Sequence, residues 1–350
     1  MLAATLSENI ELQNNFKKKG LVWLCARKEP FKIYGIHFDE NKGRFLRMDD
    51  RVASGFDTVF NDLNADTSGG RLRFVTDSPY IAVFVKQKNN LLLNSITLCG
   101  QSGFDLYADN VYVGTFMPKT NARTGFSDII ETPGGSKEYT LNFPLFDNVE
   151  ELYIGLDGDA LVLESSPYVN EDRPIVFYGS SITQGACASR PGNCYTSALC
   201  RSLDADYINL GFAARCRGEK EIAEYIAGLG MSAFVLDFDH NVTSAGELRE
   251  KHFPFYETVR TAHPDIPVVM MSAPDVAVGK PGFAERREVV LESYRKAKDR
   301  KDNVFFADGK ELYGNTPFDA TVDGIHPNDL GFYNMASYLK KIFEKIDIAR

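Results

Sequence analysis

A hydroxyl, an imidazole and a carboxylate are the parts from which proteins build an activated oxygen nucleophile, and this sequence holds all three at abrupt changes of local pattern. Ser181 lies in FYGSSITQG, directly after an apolar run and between glycines that permit a sharp turn. Asp323 and His326 lie together in DGIHPND, so one short loop can supply a general base and the group that orients it. A serine hydroxyl attacks poorly until an imidazole takes its proton, and a carboxylate holds that imidazole in the right tautomer. Each part also has a plainer reading. A serine after a strand more often caps a helix, and a lone histidine before a proline is more often a surface loop residue. The local pattern is not the G-x-S-x-G elbow, because Thr183 stands where its second glycine would be.

An attack on an acyl carbon also needs donors where negative charge develops, and losing one typically costs about 2.7–4 kcal/mol of transition-state stabilisation. Candidates follow two further apolar runs: Asn209, Gly211, Ala213 and Ala214 in and after DYINLG, and Asn241 at the end of LDFDHN. Taken singly, Asn and Asp after a strand usually make a turn.

All these residues sit at the ends of runs that read as strands. After the connector SSPYVNEDRP, the runs PIVFYG, DYINLG, AFVLDF, IPVVMM and NVFFAD alternate with amphipathic stretches of helical length: EKEIAEYIAGLG, GELREKHFPFYETVRTAH and FAERREVVLESYRKAKD. This βαβ alternation predicts a parallel sheet covered by helices on both faces, an architecture whose sites lie beyond the carboxyl ends of the strands. Before the connector the rhythm differs. RLRFVTDS, YIAVFVKQ, LLLNSITLCG, FDLYADNVYVGTFM, KEYTLNF and VEELYIGLDG are short runs bounded by turn residues, which predict an antiparallel β-sandwich. The expected division is a β-sandwich domain over 1–170 and an α/β domain over 171–350.

Length fits two domains better than one. With 39 basic and 48 acidic residues the formal charge is −9, which gives no excess positive field for a nucleic acid partner. No stretch approaches the roughly 18 uninterrupted apolar residues of a membrane span. The opening residues show no basic segment followed by an apolar one, so a cytoplasmic location is expected. The six cysteines have no C-x-x-C pair and no metal spacing, so thiols are expected and no metal. Cys187 and Cys194 bracket a turn-rich loop and are the pair to check for a bridge.

Taken in order, Gly179-Ser180-Ser181, Asn209-Leu210-Gly211, Asp239-His240-Asn241 and Asp323-x-x-His326 resemble the four blocks of the SGNH (GDSL-type) hydrolase superfamily. The resemblance covers roughly 172–350, and the half in front resembles the jelly-roll module of some two-domain carbohydrate esterases and acyltransferases. It implies a flavodoxin-like three-layer α/β/α domain with Ser181 as nucleophile, His326 as base, Asp323 as its orienting acid, and Ser181, Ala214 and Asn241 as oxyanion donors. No cofactor is implied. The sequence departs from the family where Ser180 replaces an aspartate, where Ala214 replaces a glycine, and where Asp-His-Asn replaces the usual third block. Arg190, in the loop after the nucleophile, and His240 are candidate substrate contacts. His37, His252 and His263 are expected to be structural or solvated. The sequon Asn241-Val242-Thr243 falls where the pocket is expected and is discounted.

The expected activity is hydrolysis of a short acyl ester, acetyl above all, on a small molecule or oligosaccharide. Small residues after Ser181 (Ala186, Ala188, Ser189, Gly192) suit a short acyl group. Two alternatives stay open: an acyltransferase on the same triad, and a carbohydrate-binding protein that has lost activity.

Overall fold

Alternation of apolar and polar positions builds the first part of the chain into paired antiparallel sheets. The computed structural model describes residues 1–7, 12, 16–88, 93–119 and 124–349, and these fall into two units. The first comprises Met1–Arg47, Asn64–Pro167 and Ser189–Gly192. One of its sheets runs in the order Leu21–Cys25, Glu151–Asp157, Tyr80–Lys86, Gly125–Glu131. The other runs Val162–Leu163, Arg71–Thr76, Lys137–Asn142, Phe104–Ala108, Val111–Phe116, with Lys32–Tyr34 paired to Arg71–Thr76. Leu72, Phe74, Val83, Val85, Leu106, Leu141 and Ile154 fill the core that these strands share. A two-residue turn, Asp109-Asn110, joins Phe104–Ala108 to Val111–Phe116, with φ of 48° and 65°. Such left-handed pairs match the twist of a hairpin, and Asn and Asp tolerate them.

One expected strand is corrected. Leu98–Ser102 of LLLNSITLCG is a short helix, because the Thr97 hydroxyl accepts the Gly100 N–H at 3.0 Å and so caps it; Leu91 and Leu92 lie outside the described residues. The strand Gly125–Glu131 escaped notice because nearly all its residues are half-buried, without the alternation that marks a strand.

The second unit comprises Met48–Leu63, Tyr168–Ala188 and Asn193–Arg350. Its strands are numbered here β1 (Ile175–Gly179), β2 (Tyr207–Gly211), β3 (Ala233–Asp237), β4 (Val268–Met271) and β5 (Val304–Ala307). All pair in parallel, in the order β2-β1-β3-β4-β5, which is the flavodoxin-like order. Strands β1 and β3 are buried at every position, as expected of a sheet covered on both faces. The helices are α1 (Ser181–Gln184), α2 (Tyr195–Leu203), α3 (Lys220–Ala227), α4 (Ala245–Ala262), α5 (Phe283–Asp299) and α6 (Asp329–Phe343). No helix among the described residues is long and apolar enough to cross a membrane.

A single cut at 170/171 does not describe these units. Met48–Leu63 belongs to the second because its apolar side chains are buried there: Phe60 stacks on Phe212 at 4.4 Å, and Met48 and Ala53 are fully enclosed. All six cysteines are thiols, Cys187 and Cys194 included.

His252 lies inside this second core on α4. It is 1% exposed, its ring stacks on Phe238 at 5.6 Å, and neither ring nitrogen has a hydrogen-bond partner among the described residues. Burial pushes its pKa down to about 3. The unfolded chain therefore takes a proton near pH 6.5 that the folded chain refuses until near pH 3. Stability present above pH 6.5 is lost as pH falls through that window, at up to about 1.4 kcal/mol per pH unit. Urea titrations at stepped pH should show His252→Leu with a flatter loss between pH 6.5 and 4 than wild type. Parallel curves would mean that His252 is not what senses acid there.

Candidate active site

The carboxyl ends of β1, β2 and β3 come so close that two positions admit no side chain. A Cβ on Gly179 would lie 2.0 Å from the Thr183 hydroxyl and 2.6 Å from the Asp237 carbonyl oxygen; one on Gly211 would lie 2.4 Å from the Gln184 nitrogen. Chain therefore turns from β1 into α1 directly over the neighbouring strands. Ser180, fully buried, is the N-cap of α1, its hydroxyl accepting the Ile182 N–H at 3.1 Å. Ser181 is the first helical residue and is half-exposed. Of the two serines, one closes the turn and the next presents its hydroxyl.

Three buried groups fix this turn from below. The Asn209 side chain donates to the Thr183 carbonyl at 2.7 Å and accepts the Gly211 N–H at 2.9 Å. The Thr183 hydroxyl donates to Asp237 at 2.7 Å, and the Tyr195 hydroxyl donates to the same oxygen at 3.0 Å. Burial raises the Asp237 pKa well above the usual carboxylate range.

Asp323 and His326 come from the loop before α6. Asp323 accepts the Ile325 N–H at 3.0 Å and the His326 N–H at 2.8 Å on one oxygen, and faces His326 Nδ1 at 2.8 Å with the other. Partial burial pushes its pKa up, but the His326 backbone and ring hydrogen bonds and the Ile325 N–H outweigh this and bring it to about 2. An ionised carboxylate can only accept, so the Nδ1 proton points at Asp323 and Nε2 carries the lone pair. Nε2 lies 3.0 Å from the Ser181 Oγ. The hydroxyl, imidazole and carboxylate thus form one continuous relay.

The expected oxyanion donors are reached from the same strand ends. Ala214 has φ +58°, the left-handed conformation that the family's glycine would adopt without strain. Asn241 lies in the short turn after β3, where one hydrogen of its amide is donated to the Phe212 carbonyl at 3.2 Å and the other has no acceptor among the described residues.

His240 is engaged by a carboxylate: its Nε2 is 2.8 Å from Asp275, a residue 1% exposed. Lys280 lies 3.8 Å from the same carboxylate and donates to the Gly324 carbonyl, inside the Asp323–His326 loop. Arg190 is part of the first unit. Its guanidinium donates to Asp105 at 2.6 Å and to the Tyr107 hydroxyl, and lies 3.9 Å over the Tyr112 ring. Asp105 also accepts the Gly192 N–H at 2.9 Å. Asp105 and Tyr107 went unremarked in the sequence because FDLYA reads simply as a buried strand, and a charged residue inside such a strand was the available signal.

A cavity of about 490 Å³ opens at the other edge of the sheet, lined by Arg173, Ser232, Asp265 and Asn303 before the amino ends of the strands. It is unconnected with Ser181, and the parallel-sheet rule places function at the carboxyl edge.

A Ser-His-Asp relay above the sheet of a flavodoxin-like domain has the geometry that acyl transfer through a serine hydroxyl requires. Residues 172–344 match the GDSL-like Lipase/Acylhydrolase family, and 21–162 match the N-terminal domain of SGNH-hydrolase-type esterases, called GxDLY. The chain belongs to the SGNH (GDSL-like) hydrolases that carry this N-terminal domain. The letters of that name are read here as Gly103-Phe104-Asp105-Leu106-Tyr107, the strand that holds Arg190. Among solved structures, a GDSL-like lipase candidate from Bacteroides ovatus is 28% identical with a TM-score of 0.82, over 93% of this chain and 97% of that one. A salicylyl-acyltransferase from a tetracycline biosynthetic pathway is 20% identical (TM-score 0.77; 95% and 100% covered). A family two carbohydrate esterase from Clostridium thermocellum, solved with cellohexaose, is 14% identical (TM-score 0.64; 90% and 98% covered). A comparison with curated proteins gives no match.

Ala214 provides a test of the backbone at this site. A left-handed alanine costs roughly 1–2 kcal/mol, of which Ala214→Gly should recover about 0.5–1 kcal/mol after the added entropy of the unfolded chain. Denaturant melts should show that gain for Ala214→Gly and a loss for Ala214→Val. Equal or lower stability of the glycine variant would contradict the left-handed assignment.

Proposed function

We propose that this chain is a serine esterase that removes short acyl groups, acetyl foremost, from a carbohydrate. The observation that carries the reading is the unbroken relay from Ser181 Oγ through His326 to Asp323, at 3.0 and 2.8 Å. His326 Nε2 takes the Ser181 proton as Oγ attacks the ester carbonyl. Charge that develops on the carbonyl oxygen meets the N–H groups of Ser181 and Ala214 and the second amide hydrogen of Asn241. Collapse expels the sugar hydroxyl with the proton that His326 holds, which leaves an acyl-enzyme; water, deprotonated by the same nitrogen, then releases the acid. Asp323, held near pKa 2, stays ionised throughout and stabilises the imidazolium.

The acetyl preference draws on the small residues after the nucleophile, where Ala186 and Ala188 are buried and leave no long apolar channel in that segment. The sugar preference draws on the esterase architecture shared with the family two enzyme. In this reading His240 and Arg190 are structural, because each is engaged by a carboxylate rather than directed at a substrate. An acyltransferase shares the same fold and relay, so the product decides between them.

Acetate release from acetylated xylo-oligosaccharides and other acetyl sugars, beside short and long p-nitrophenyl esters, tests the reading. Expected are turnover of acetyl esters and a loss of about 10⁴-fold or more in kcat for Ser181→Ala with the fold intact. Acyl transfer to an added alcohol in preference to water would favour the transferase. Wild-type rates in Ser181→Ala would sink the nucleophile assignment.

A further inference from the structure

Cys187 has no part in the relay, yet it stands against it. Its Sγ, a carboxylate oxygen of Asp323 and a ring nitrogen of His326 all lie within 4.8 Å of one another. Cys187 is 5% exposed and holds φ +74°, a left-handed backbone for a residue with a Cβ. That conformation costs roughly 1–2 kcal/mol, and such strain persists where the surroundings fix it, often beside a functional site. Here it turns a thiol toward the base.

We propose that Cys187, Asp323 and His326 form a reversible Zn²⁺ site whose occupation switches the nucleophile off. Thiolate, imidazole and carboxylate together suit zinc and not the hard cations Mg²⁺ or Ca²⁺, which want oxygen alone. In a tetrahedral zinc site, with Zn–S about 2.3 Å and Zn–N or Zn–O about 2.0 Å, donor atoms stand about 3.5 Å apart. Pairs now up to 4.8 Å apart therefore need at most about 1.3 Å of convergence. Asp323 and His326 can supply it, since their side chains are 35% and 23% exposed on a loop. Water completes the fourth position. On binding, the thiol releases its proton to solvent, and zinc accepts lone pairs from sulfur, one ring nitrogen and one carboxylate oxygen. Whichever nitrogen is taken, the base fails: ligation through Nε2 removes the acceptor for the Ser181 proton, and ligation through Nδ1 moves the ring proton to Nε2, which then cannot accept, and breaks the contact that orients the ring.

Binding stands on the cluster alone; the switching-off rests on the esterase reading. The test accordingly has two readouts. Co²⁺ titrated into the wild-type protein should give a thiolate-to-cobalt charge-transfer absorption, kept in Ser181→Ala and lost in Cys187→Ser and Cys187→Ala. Zn²⁺ should inhibit ester turnover reversibly, with activity restored by EDTA. The half-inhibitory concentration should rise roughly tenfold or more in either Cys187 variant, each compared with its own metal-free rate. Absence of the cobalt absorption in wild type, or its persistence in both Cys187 variants through Cys25 or Cys99, would overturn the site. Absorption without inhibition of an active enzyme would overturn the switch. If no ester is turned over at all, the activity reading fails, while the cobalt absorption still decides the metal site.

Discussion

At Gly179 a methyl group would sit 2.0 Å from the Thr183 hydroxyl and 2.6 Å from the Asp237 carbonyl oxygen. That exclusion is what lets β1 turn into α1 within van der Waals contact of β3, and Gly211 does the same where β2 meets the end of α1. The position of Ser181 follows from it. With the turn pressed onto the sheet, the N-cap Ser180 is buried, the following hydroxyl is lifted outward, and the first-turn N–H groups point to the same side. A wider turn would leave room for side chains but would lower the Ser181 hydroxyl relative to the loop that carries His326.

Pressing a turn onto a sheet buries polar groups that must then be satisfied, and the second unit meets this with a small network. The Thr183 and Tyr195 hydroxyls donate to one carboxylate oxygen of Asp237, while Asn209 closes the Thr183 carbonyl and the Gly211 N–H. A buried carboxylate is costly unless it is hydrogen-bonded or protonated, and burial moves Asp237 toward the protonated state. These residues touch no substrate in the proposed chemistry. Their contribution is to deny the Ser181 turn a second conformation, which is how supporting residues give a site its precision.

Much of this was legible in the sequence. The five apolar runs of the second half became the five parallel strands, and FAERREVVLESYRKAKD spans α5 from end to end. The reason is that strands buried on both faces read as short continuous apolar runs bounded by turn residues, while helices buried on one face repeat their apolar residues at the helical period. Ser181 was legible as a type at a strand end and Asp323 and His326 as a pair in one loop, but the distance between serine and histidine is a tertiary fact. Less local features were hidden. Met48–Leu63 joins the second unit through Phe60 and Phe212, residues far apart in sequence, and no composition shift marks the change. Leu98–Ser102 looked like a strand because Leu and Ile dominate the run, and a single threonine cap overrode that propensity. Cys187 reads in the sequence only as a possible bridge partner of Cys194, and its place beside Asp323 and His326 is set by the fold.

Asp323 makes three hydrogen bonds within a four-residue span, two to His326, through its ring and its backbone N–H, and one to the N–H of Ile325. Acid and base therefore form a prefabricated piece whose internal geometry costs little further entropy when the domain closes. Only one long-range distance, from Nε2 to the Ser181 Oγ, is left for the tertiary fold to set. An ancestral or engineered chain that gains this loop in the right place gains a working base in one step, whereas a triad drawn from three separate elements must align two distances at once.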